Sequence, residues 1–162
     1  MTSSPTLRTA TLRTAARRLL AAVFLGAGVL HLTVPGPFVR IMPHGVADPA
    51  RVVALTGVAE LLGAAGLMIP RLRVVAGWAL AAYAVCVYPA NVQHAMNFMA
   101  SGTGQGAHLG WAYHGPRLMF QPVIVWWCLW ASTAIDWPFA KSFSEKSQAA
   151  AARVPPISMD RI

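Results

Sequence analysis

A carboxylate, Glu60, stands near the middle of an otherwise apolar run from Val52 to Ile69. A charge placed there costs on the order of 2.5–3.5 kcal/mol on membrane-insertion scales, so the side chain is expected to face other helices and to hold a partner or a proton. Its neighbours one helical turn away are Thr56, Gly57, Gly63 and Ala64. A stripe of such small residues lets a second helix approach closely and turns Glu60 inward. Other apolar runs carry polar residues at a comparable depth. His31 follows Ala27 and Gly28 on one face, and Tyr88, Asn91 and His94 cluster around Pro89. Arg117 and Gln121 lie one turn apart, with Cys128 further along the same face. Seven residues (His31, Glu60, Tyr88, Asn91, His94, Arg117 and Gln121) are expected to line one pocket. Arg117 is expected to reach Glu60 directly or through Gln121.

Hydrogen-bonding groups beside flat apolar walls suit a quinone head group or a similar small ligand. The competing reading is that these residues only hold helices together. Interhelical polar contacts average about 0.6 kcal/mol, and Asn or Gln would serve that purpose as well as a carboxylate. No metal is expected. His31, Glu60 and His94 are ligand types, but no HxH, HxxxH or HExxH pair fixes two of them on one element. Ser132 and Thr133 lack a paired base, so nucleophilic catalysis is not indicated. Tyr83 and the tryptophans Trp78, Trp126, Trp127 and Trp130 read as packing residues. Cys86 and Cys128 show no CxxC spacing and read as small buried apolar side chains.

The elements that position these groups are long and apolar. Of the 162 residues, 56% are apolar and only 11% charged, with a mean hydropathy of +0.52. A soluble domain carries about 25% charged residues, so a membrane protein is indicated. Apolar runs at 19–34, 52–69, 74–93 and 118–135 are each long enough, at about 1.5 Å per residue, to approach a hydrocarbon thickness. The expected fold is all-α, a membrane-embedded four-helix bundle running up-down-up-down. The net charge of +8 does not imply nucleic acid, because the basic residues flank the apolar runs instead of lining one face.

Ten of the 13 Lys and Arg residues fall on one side of such a bundle: Arg8, Arg13, Arg17, Arg18, Arg71, Arg73, Lys141, Lys146, Arg153 and Arg161. Only Arg40, Arg51 and Arg117 fall on the other. The bias places both termini in the cytoplasm. Residues 1–18, with their repeated TLRTA, are expected to form a flexible basic arm ahead of an uncleaved first span. Residues 136–162 are expected to form a polar, partly disordered tail. The outward connection from Pro35 to Asp48 is read as interfacial, and that from Asn97 to Gly115 as a flexible cap.

The order of motifs across the four runs resembles the DoxX family of bacterial four-helix membrane proteins. The resemblance rests on Gly28–His31, the Pro35-to-Pro43 connection, Gly57-x-x-Glu60-x-x-Gly63, Pro89-x-Asn91 and Arg117-x-x-x-Gln121. It covers about residues 19–135. Met119 departs from it, standing where the pattern has Pro. The resemblance implies a bacterial cytoplasmic-membrane location and a link to quinone-dependent oxidoreductases, as a subunit or accessory protein more than a stand-alone enzyme. Implied partners are the lipid bilayer and oxidoreductase subunits or further copies of the chain. Two alternatives stand beside this reading: a non-catalytic scaffold or assembly subunit, and a small transporter or channel.

Overall fold

Helix boundaries follow local chemistry. The Asp48 carboxylate accepts the Arg51 N–H at 3.0 Å and Pro49 takes the first helical position, so a helix begins there. Pro35 follows the end of another, as expected where proline disfavours helix in the preceding residue. The computed structural model describes residues 5–43, 45–100 and 107–137. They form α1 (Pro5–Thr33), the short α2 (Gly36–Arg40), α3 (Pro49–Met68), α4 (Arg73–Ala100) and α5 (Ala107–Ala131). No strand occurs among the described residues.

Among the described residues, three stretches are long and apolar enough to cross a membrane: Arg8–Thr33, Pro49–Met68 and Arg73–Phe98. They cover three of the four expected runs, 74–93 fully and 19–34 and 52–69 to within one residue. α5 is 25 residues long but carries His114, Arg117, Gln121 and two internal prolines, which lower its hydropathy. Helix boundaries differ from expectation in three places. The basic N-terminal arm is helical from Pro5 and continues into α1. Most of the expected cap from Asn97 to Gly115 is also helical, shared between the ends of α4 and α5. At its C-terminal end α5 stops at Ala131 instead of 135. Thr133 there takes φ 68°, with Thr133 N–H bonded to Trp130 O and Ala134 N–H to Leu129 O. This pattern closes a helix through a left-handed residue. The polar tail beyond Trp137, His44, and residues 101–106 of the cap lie outside the described residues.

α1 packs against α3 and α5, and α4 against α3 and α5, so the four long helices close a ring. The packing has two distinct halves. Near the N-terminus of α1, the small side chains Ala64, Ala76, Ala81 and Ala131 let Leu20, Leu67, Leu80 and Cys128 interlock in a dense core. At this end Arg17 donates to the Ala131 carbonyl at 3.3 Å. Arg13 donates to the Ile135 carbonyl at 3.0 Å and pairs with Asp136 at 2.9 Å. Two arginines of α1 thus satisfy carbonyls at the C-terminal end of α5. The half nearer α2 is hollow and holds the polar residues.

The outer surface is apolar. Leu62 is 69% exposed and Val75 68%, while Glu60 is 4% exposed. Large hydrocarbon side chains outside and a carboxylate inside invert the distribution of a water-soluble protein.

Candidate functional site

α1 and α3 touch backbone to backbone at two glycines. A Cβ on Gly28 would lie 2.8 Å from the Gly57 carbonyl oxygen, and one on Gly57 would lie 2.9 Å from His31 Cβ. No larger residue fits at this crossing without displacement. His31 and Glu60 each sit three residues beyond their glycine, and the crossing brings their side chains together. His31 Nδ1 lies 2.8 Å from Glu60 Oε2 and 2.9 Å from the Ala27 carbonyl oxygen. A carbonyl can only accept, so Nδ1 carries a proton. That N–H is aimed at Ala27. Glu60 Oε2 consequently has no well-aligned donor, although it is buried beside the ring. Tyr83 of α4 donates its hydroxyl to the other oxygen, Oε1, at 2.8 Å. Phe38 of α2 stacks on the His31 ring with centroids 3.9 Å apart.

A second polar group joins α4 to α5. The Arg117 guanidinium donates to Asn91 Oδ1 at 2.6 Å and to His94 Nδ1 at 2.8 Å. Since guanidinium cannot accept, His94 Nδ1 holds a lone pair and its ring is neutral, the opposite tautomer from a ring protonated at Nδ1. Asn91 Nδ2 approaches Gln121 Oε1 at 3.4 Å. Gln121 in turn donates from Nε2 to the Ala84 carbonyl. That carbonyl lies next to Val85, whose own carbonyl loses its helical partner to Pro89. His114 packs edge-on against His94, with centroids 4.6 Å apart, and is buried. It precedes the apolar run of α5. Burial, with the Arg117 cation nearby, holds its imidazole below the usual histidine range.

Both groups border one cavity of about 720 Å³. His31, Glu60, Tyr83, Asn91, Arg117 and Gln121 line it, and most of the remaining wall is apolar, with Phe24, Phe38, Phe120 and Trp127 among its members. A volume of this size accommodates a small organic ligand.

Five of the seven expected residues therefore share the cavity. His94 stands behind Arg117 and orients it. Tyr88 does not belong: it is 39% exposed and outside the lining. In α4 the inward face runs through Tyr83, Val87 and Asn91, one turn apart, and Tyr88 is rotated off it. Tyr83 was the residue that its type concealed, since an aromatic within an apolar run reads as packing. Its spacing of four and eight residues from Val87 and Asn91 was the available signal. The expected link between Arg117 and Glu60 is also absent among the described residues. Arg117 turns toward α4, and Glu60 is held by α1 and α4 instead. No group of three or more potential metal ligands occurs among the described residues.

A family model described as "Domain of unknown function (DUF8561)" matches residues 20–132. The chain belongs to that family. The DUF8561 match begins at Leu20 in the dense core and ends at Ser132, so it takes in both glycines of the α1–α3 crossing and every residue of the cavity. No curated protein and no solved structure matches the chain.

Proposed function

We propose that this chain is a DoxX-like, multi-pass protein of a bacterial cytoplasmic membrane whose cavity binds a quinone or a similar small ligand within a redox-linked complex. All four long helices cross the bilayer as an up-down-up-down bundle with both termini cytoplasmic, and the hollow half opens toward the outer leaflet. The apolar exterior and the ten-to-three distribution of basic residues support that orientation.

One observation carries the ligand reading. Glu60 Oε2 is a buried carboxylate oxygen on a cavity wall whose nearest donor, His31 Nδ1 at 2.8 Å, is shared with the Ala27 carbonyl and aligned on it instead. Leaving such an oxygen unmet costs about 1–3 kcal/mol or more, a penalty that a bound donor removes. A quinol hydroxyl is such a donor, and aromatic walls suit its ring. When a quinone is reduced, two electrons and two protons are taken up. The electrons come from a partner oxidoreductase subunit; the Glu60–Tyr83 pair conducts one proton to or from the ligand oxygen it faces, and the second proton exchanges at the other oxygen with water on the outer side.

The test is mass spectrometry of the protein extracted in native lipid, reading bound quinone and bound subunits together. The proposal expects a retained quinone in the wild type and its loss in Glu60→Gln. A stoichiometric oxidoreductase partner with no quinone, and a silent Glu60→Gln, would replace it with the scaffold reading. Glu60-dependent flux through proteoliposomes would replace it with the transporter reading.

A further inference from the structure

The cavity has two polar ends of opposite character, and only one of them contains a carboxylate. The sequence holds five acidic residues: Asp48, Glu60, Asp136, Glu145 and Asp160. Three are described, and each is engaged away from Arg117. Asp48 caps α3, Asp136 pairs with Arg13, and Glu60 meets His31 and Tyr83. The acceptors that Arg117 does reach, Asn91 Oδ1 and a neutral His94, carry no charge. The Tyr113 ring lies over the guanidinium at 5.9 Å. Among the described residues, then, a half-buried cation borders an apolar cavity without a counter-anion.

Two of the five guanidinium N–H groups are used by α4, which leaves three for another acceptor. The planar fork matches the two oxygens of a carboxylate or a phosphate. The wall beyond it is hydrocarbon, with Phe120, Val87, Val23 and Ile124 among the lining residues. A soluble inorganic anion would leave that wall unfilled, and an uncharged ligand would leave the cation uncompensated. We infer that Arg117 receives the anionic head of a chain-bearing amphiphile whose hydrocarbon lies along this wall. The inference rests on the ligand-cavity reading and names the ligand class for its cationic end. Fatty carboxylates and anionic phospholipids share the required chemistry.

The test uses the full chain in nanodiscs of phosphatidylcholine, with binding read by native mass spectrometry and by melting temperature. Dodecanoate is compared with methyl dodecanoate, which has the same chain without the charge. The wild type is expected to prefer the carboxylate by about tenfold or more, as a charge-assisted pair implies. Arg117→Gln is expected to abolish that preference and leave ester binding unchanged, and Arg117→Lys to retain part of it. A separate arm adds phosphatidylglycerol. If that lipid binds in an Arg117-dependent way and displaces dodecanoate, the native anion is a lipid phosphate; if it does not, the native anion is a free carboxylate. Equal affinity of the wild type for acid and ester would overturn the inference without recourse to any variant. An undiminished preference in Arg117→Gln would do the same. A short-chain benzoquinol, kept reduced, serves as the control for the Glu60 end. Its loss in Glu60→Gln with dodecanoate binding intact would separate the two sites, and its absence in the wild type would remove the quinone reading alone.

Discussion

His31 Nδ1 and Glu60 Oε2 lie 2.8 Å apart because Gly28 and Gly57, three residues earlier on their helices, let α1 and α3 touch. The two glycines set the helix separation, and that separation sets the reach of the two side chains. Crowding the crossing should therefore disturb the pair before it disturbs the rest of the core.

Gly57→Val is expected to lower stability by about 1–3 kcal/mol, the usual penalty for overpacking. Its new side chain meets His31 Cβ and the Gly28 backbone. Thermal unfolding in detergent measures the loss. Gly26 provides the control, because a Cβ added there would meet nothing within 4 Å. Gly26→Ala should leave the melting temperature unchanged or raise it.

Tyr83→Phe removes the hydroxyl that meets Glu60 Oε1 and preserves the ring that packs edge-on against Phe24. The expected cost is about 1–3 kcal/mol, because the carboxylate oxygen is then left unmet. Combining it with Glu60→Leu, which removes the acceptor, should cost less than the two single losses added together. A double-mutant cycle in denaturation reads that coupling, and simple additivity would show that the bond contributes nothing.

His114 supplies a pH dependence of definite sign. Its folded pKa lies below the ordinary value, so the unfolded chain takes up the proton first as pH falls. Stability should accordingly decline below about pH 6.5, where an unfolded histidine titrates. Among the described residues, the charged and titratable groups facing it are Arg117, His94 and Tyr113. His114→Phe should flatten the low-pH side of the melting profile; a profile of unchanged slope would show that another group is responsible.

Orientation can be read by thiol labelling. With Cys86 replaced by Ala and Cys128 left in the core, Ala47→Cys is expected to react with a membrane-impermeant maleimide in intact cells. Arg71→Cys is expected to react only after the cells are opened. Both positions are exposed, so access to the two sides of the membrane decides the result.

Much of this arrangement was legible because membrane helices put few polar residues inside, and each of these stands out. The small-residue stripe around Glu60 located the α1–α3 contact and the inward face of α3. Asn91 and Gln121 were legible for the same reason. Tyr88 was misassigned because residues three and six apart were grouped around Pro89, whereas the cavity face of α4 runs through residues four and eight apart from Tyr83. The partner of Arg117 was not legible, since a flexible stem can turn either way and only the packed helices show it meeting Asn91 and His94. Basic composition also hid the helical start of α1, and glycine-rich composition the facing ends of α4 and α5, where Phe98 packs against Gly110 and His114.

The most direct test of the account is anaerobic titration of purified protein with a short-chain benzoquinol, the reduced form that carries the hydroxyl donors, with bound ligand read by the change in its ultraviolet absorption. Saturable one-to-one binding is predicted for the wild type, weakened about tenfold or more in Glu60→Gln while the melting temperature of the unliganded protein is kept. Binding of equal strength in both proteins, or none in the wild type, would contradict the claim that the Glu60 wall of the cavity is a quinone site.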